Sequence, residues 1–184
     1  GRMSDPPPPT DHRTKFQVER IAFFSDAVFA IAITLMVIEV KPPHLAETAG
    51  TREAILALLE MAPQFFGVLL SFFLIAVFWH RHHQLMRHVG NYDGKMIRLN
   101  FLLLASVVLL PFSTGFDTEN FRTPTALPSI LYNLNCIAPT FFTYRLFMHV
   151  LNERNGLLDA PWPGDTRWLR GELLYPIAVF TLII

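Results

Sequence analysis

The sequence predicts an all-α integral membrane protein, built as a bundle of several spanning helices. Of its 184 residues, 52% are hydrophobic and only 16% are charged, whereas soluble domains carry about 25% charged residues. Five apolar segments are long enough, or nearly long enough, for the roughly 20 helical residues that a bilayer core requires. Basic residues also collect at one end of these segments, as they do in multi-pass membrane proteins.

The five apolar segments cover residues 21–40, 62–79, 97–112, 126–150 and 173–184. Pro42 and Pro43 close the first segment, and Pro139 predicts a kink in the fourth. The fifth segment ends with the chain at Ile184, where bare carbonyls would face hydrocarbon. We therefore expect the natural chain to continue, to complete this helix and to add a sixth.

Basic residues predict the orientation of the bundle. Twelve of the 15 lysines and arginines flank one end of the segments, in the N-terminal tail and in the 2–3 and 4–5 connections. The other three, in the opposite loops, are Lys41, Arg52 and Arg122. Because positive charge stays on the cytoplasmic side, we expect a multi-pass protein of the cell membrane with a cytoplasmic N-terminus.

Residues 1–18 are polar and proline-rich and are predicted to form a disordered cytoplasmic tail, which leaves residues 19–184 as the membrane domain. No GxSxG, HExxH or glycine-rich phosphate loop occurs, so neither an enzyme nor a cofactor is predicted. The basic residues flank helices rather than form a patch, which excludes nucleic acid as a partner.

The start of the first segment carries three polar residues: Arg20, Ser25 and Asp26. Charges inside a membrane normally face protein or water and take partners. We interpret the three as a polar clamp that holds the first helix against the second and third. At the same predicted depth, the candidate partners are Trp79, His80, His83 and Asn100. Alternatively, Arg20 reaches lipid phosphates and Ser25 and Asp26 cap the helix.

The opposite face of this helix is apolar. At the helical period, Ile31, Leu35 and Ile38 form one stripe, with Thr34 at its margin, whereas Asp26 lies on the far side with Ala22, Ile33 and Val40. The stripe suits lipid contact or ordinary packing. From the pattern alone that reading is preferred; the alternative is a symmetry axis, where rings of isoleucine and leucine would constrict a pore that gates by dewetting.

Histidines cluster after the second segment, at His80, His82, His83 and His88. No cysteine or acidic residue lies close by, and arginines interrupt the cluster, so no metal site is predicted. Pairing of His80 or His83 with Asp26 is preferred, and it would make the protein pH-sensitive. A channel is expected to tolerate loss of His82.

The residues RIAFFSD, from Arg20 through Phe24 to Asp26, fit the RxxxFSD signature of the transmembrane protein 175 family of lysosomal and prokaryotic potassium channels. The following AVFAIAITLMVIEV also resembles the first helix of that family, as do FWHRHH, LNFLLL and LPFST in the next two segments.

This resemblance implies six helices per subunit, a homotetramer in the lipid bilayer, and a pore lined by the first helix without a TVGYG filter. It implies that Ile31 forms the narrowest hydrophobic gate, that Leu35 and Ile38 form further rings, and that Thr34 lies beside the pathway of a permeant K⁺. The alternative from another class is a secondary transporter or a membrane enzyme that uses Asp26 with His80 and His83 for proton or metal chemistry.

Overall fold

The computed structural model describes residues 12–159 and residue 162. Over these residues the chain is helical, which confirms the predicted all-α class. The helices are α1 (His12–Leu35), α2 (Thr51–Glu60), α3 (Ala62–Met86), α4 (Gly94–Val108), α5 (Leu110–Asn120) and α6 (Leu127–Val150). Two 3-10 turns, Met36–Glu39 and Glu153–Asn155, follow α1 and α6.

Three stretches of the described chain are long and apolar enough to cross a membrane: His12–Glu39, Ala62–Met86 and Gly94–Asn120. They cover the first three predicted segments except for Val40. The fourth segment forms α6, which has 24 residues and continues through Pro139 but is not among the three. Asparagines and prolines reduce its apolar character. The fifth segment and the expected sixth helix lie outside the described residues.

Three boundaries differ from the predictions. Helix α1 begins at His12, so residues 12–18 are helical and the predicted tail is too long. The third segment extends to Asn120, because α5 follows α4 almost directly and places Pro111 in its first turn, where a missing N–H costs little. Helix α2 was not predicted, since ten residues are too short to span a bilayer.

The core lies between α1, α3, α4, α5 and α6. Helix α6 packs along α4 and α5, while α1 packs against α3 and α4. One face of α1 enters this core through Val18, Ser25, Phe29 and Ala32, and Met36 continues it into the 3-10 turn. The arrangement fixes which face of α1 remains uncovered.

Candidate functional site

A chain of hydrogen bonds joins α1, α3 and α4 at the end of the bundle that the sequence predicts to be cytoplasmic. Asn100 Nδ2 donates to Ser25 Oγ at 2.9 Å, and Ser25 Oγ donates to the Ile21 carbonyl at 2.8 Å. On the other side, His82 Nε2 donates to Asn100 Oδ1 at 2.8 Å. Ser25, Asn100 and His82 are 0%, 3% and 1% exposed. Because water cannot replace buried bonds of this kind, the three side chains hold α1 in one position.

Asp26 makes a second contact between α1 and α3. Trp79 Nε1 donates to the Asp26 Oδ1 atom at 2.9 Å. Trp79 is one of the partners that the sequence predicts. The prediction that His80 or His83 pairs with Asp26 is wrong. The His83 ring stacks on the Trp79 ring with centroids 5.5 Å apart, and Gln84 Nε2 donates to His80 Nε2 at 2.9 Å. Trp79 is a neutral donor, so this contact does not require a protonated imidazole.

Arg20 is not part of these hydrogen bonds. Its side chain is exposed and lines a cleft between α1 and α4 with Phe24 and Phe101. The rings of Phe24 and Phe101 meet edge to face, with centroids 5.8 Å apart. Over the described residues, the clamp therefore consists of Ser25 and Asp26 with their partners, and Phe24 adds an aromatic contact to α4.

His82 was not among the partners that the sequence indicated for the first helix. Its ring is buried, bonds Asn100 and lies 5.5 Å from that of Phe29, and the expectation that a channel tolerates its loss stays a prediction. The signal was present in the helical period of α3, where Ser71, Ile75, Phe78, His82 and Leu85 form its buried face.

The two faces of α1 differ sharply in exposure. Ile31 and Ile38 are 57% and 66% exposed, and Leu35 and Thr34 are exposed with them. Thr34 Oγ1 donates to the Ile31 carbonyl at 2.8 Å, so its hydroxyl is bonded back to the helix. The buried face is centred on Ser25 and Phe29 rather than on Asp26, Ala22, Ile33 and Val40, which are only half-buried.

The α-helix ends earlier than the apolar run. Residues Met36–Glu39 form a 3-10 turn, so Ile38 is not on the α-helical wheel that predicts its position. In a 3-10 turn each residue advances further around the axis. Ile38 nevertheless stays exposed, next to Val37, which is 70% exposed.

No group of three or more histidines, cysteines, aspartates or glutamates in the described part of the chain is arranged to hold a metal ion. His82 Nε2 bonds Asn100, and the His83 ring stacks on that of Trp79. The geometry is that of contacts that position a helix.

Residues 20–111, which contain most of α1, all of α3 and α4 and the signature around Ser25 and Asp26, match the family described as endosomal/lysosomal potassium channel TMEM175. The chain belongs to this family. TMEM175 proteins are channels, so the chain is a membrane protein of a channel family and not an enzyme.

Relatives extend the match beyond these residues. A potassium channel of Streptomyces collinus is 32% identical over 87% of this chain and 80% of its own length. A potassium channel of Chamaesiphon minutus is 40% identical over 58% of this chain and 52% of its own. The human endosomal/lysosomal proton channel TMEM175 is 32% identical over 58% of this chain but only 22% of its own.

The fold agrees with a solved structure from this family. The crystal structure of a lysosomal potassium-selective channel TMEM175 homolog from Chamaesiphon minutus superposes with a TM-score of 0.76. It is 29% identical in sequence and covers 90% of this chain and 84% of its own. The similarity therefore extends beyond the RxxxFSD region to most of the bundle.

Proposed function

We propose that the protein is one subunit of a cation channel that prefers potassium, with α1 lining the pore. The observation that carries this proposal is the two-sidedness of α1. Polar contacts with α3 and α4 fix one face, while Ile31, Leu35 and Ile38 on the other face are exposed in the described part of the chain. Copies of this face around one axis would cover one another.

The pore in this proposal is closed by apolar rings. Ile31 forms the main hydrophobic gate, and Leu35 and Ile38 form rings further outward. Such side chains offer no oxygen to replace the hydration shell of an ion, so conduction requires a widening that admits water. Four copies form the assembly in the cell membrane, with the N-terminus cytoplasmic. No TVGYG filter takes part, and Thr34 lies beside the pathway of the permeant K⁺.

The alternative of a transporter or membrane enzyme finds less support in the described residues. It requires Asp26 and the histidines to be available for proton or metal chemistry. Asp26 accepts from Trp79, and the His83 ring stacks on that same tryptophan. These contacts suit a structural role, so the channel remains the proposal.

Ion flux from liposomes tests the proposal, and it separates potassium from proton conduction, since relatives are named for both. The purified protein is reconstituted with an outward potassium gradient and an internal pH dye. We expect acidification of the lumen only after a protonophore is added, and a smaller signal when sodium replaces potassium.

Two outcomes would contradict this expectation. Acidification without the protonophore would indicate a proton pathway through the protein. No signal from folded protein, in vesicles that still respond to valinomycin, would remove the channel proposal. Vesicles prepared without protein provide the baseline.

A further inference from the structure

The outer end of α1 has its own attachment, about 20 Å along the helix from Ser25. The backbone carbonyl of Glu39, the last residue of the 3-10 turn, accepts a hydrogen bond from Gln64 Nε2 at 2.7 Å. Gln64 lies in the first turn of α3 and is half-buried. The Gln64 side chain of α3 therefore caps the C-terminal end of the first helix.

The sequence explains why a side chain is needed here. In a continuing helix the Glu39 carbonyl would accept from the backbone N–H three or four residues later. Those residues are Pro42 and Pro43, and proline has no N–H. The Glu39 carbonyl therefore has no intrahelical donor, and the Gln64 amide takes the place of the missing one.

Two further contacts surround this hydrogen bond. The Glu39 carboxylate lies directly against Gly115 of α5, where a Cβ atom would overlap it. Lys41 Nζ pairs with Glu119 Oε1 at 2.5 Å, but the Lys41 side chain is 68% exposed, and exposed ion pairs contribute little. Met36 anchors the start of the turn in the core, and Gln64 and the close approach at Gly115 hold its end at Glu39.

We infer that Gln64 is a positioning residue for the outer pore ring, because it fixes the 3-10 turn that carries Ile38. This inference rests on the proposed function, since the position of Ile38 affects conduction only if α1 lines the pore. Helix α1 is then attached at both ends, by Ser25 and Asp26 on one side of Ile31 and by Gln64 on the other.

The test replaces Gln64 with methionine, which has a similar length and no donor. Gln84→Met on the same helix is the matched control, because Gln84 is exposed and its side chain bonds His80 within α3. Hydrogen exchange of residues 36–41 reports on the turn, and the ratio of potassium to sodium flux reports on the pore. We expect Gln64→Met to speed exchange in residues 36–41 roughly tenfold, as loss of one hydrogen bond predicts, and to lower the flux ratio.

A second variant distinguishes an effect on the turn from a general folding defect. Gly115→Ala leaves Gln64 intact but pushes the Glu39 side chain off α5, so it is expected to change the same two readouts in the same direction. Both variants should retain the thermal stability of the Gln84→Met control.

Three results would overturn parts of this account separately. Exchange and flux equal to those of Gln84→Met would show that Gln64 does not hold the turn. Faster exchange with an unchanged flux ratio would overturn the role at the pore. No flux from the wild type would instead remove the proposed function itself, whatever the exchange shows.

Discussion

Replacement of Ile31 with asparagine is expected to raise potassium flux severalfold and to reduce the preference for potassium over sodium. The physical reason is wetting of the constriction. A ring of amides offers oxygen and hydrogen-bond donors where the wild type presents only aliphatic carbon. Water then fills the constriction at lower cost, and a wetted opening discriminates less by ion. Liposome flux of each ion, normalised to reconstituted protein, measures both effects.

Ile33→Asn is the matched control. It introduces the same side chain two residues away, but Ile33 is half-buried and packs against the core of the subunit. This variant should lose stability without any gain in flux. Equal gains in potassium flux at both positions would mean that asparagine merely loosens the bundle. Ile31 would then have only the role of ordinary packing or lipid contact.

Replacement of Asn100 with leucine is expected to lower the free energy of unfolding more than any other single substitution considered in these predictions. His82 Nε2–H loses its acceptor, and an unpaired buried donor costs about 1–3 kcal/mol. The loss of the bond to Ser25 costs less free energy, because the Ser25 hydroxyl still donates to the Ile21 carbonyl. We expect a lower midpoint of thermal unfolding in detergent and less folded protein.

Two comparisons distinguish the contribution of the His82–Asn100 contact to stability from the general effect of replacing an amide by leucine. Asn135 on α6 donates to Ser113 Oγ at 2.9 Å but is only half-buried, so Asn135→Leu should destabilise less. Replacing both His82 and Asn100 with leucine leaves no unpaired partner, so the double variant should cost less than the sum of the single ones. Additive costs would show that the two side chains do not act together.

The period of the sequence was enough to predict the exposed stripe of α1, because Ile31 and Leu35 lie within a regular α-helix. The depth of Trp79 and Asn100 in neighbouring segments was enough to name them as partners for the first helix. In both cases the information is local, in the spacing of residues along one helix and their distance from its end.

Other features depend on contacts between elements that are distant in sequence. Ile38 lies in a 3-10 turn because Pro42 and Pro43 withhold donors and Gln64 replaces one of them, which no helical wheel represents. His82 was not named as a partner of the first helix because His80 and His83 were preferred, whereas its contacts with Asn100 and Phe29 join helices distant in sequence. Helix α2 was missed because its ten residues are too few to span a bilayer.

The most direct test of the central claim, that the exposed face of α1 lines a pore, is block of potassium flux by silver ion at single cysteines along this helix. The natural Cys136 is fully buried, which keeps the background low. Cysteines at Ile31, Leu35 and Ile38 are predicted to make the flux sensitive to silver, whereas cysteines at the buried Ala32 and Met36 are not. Block at Ala32 and Met36 with none at Ile31 would contradict the account.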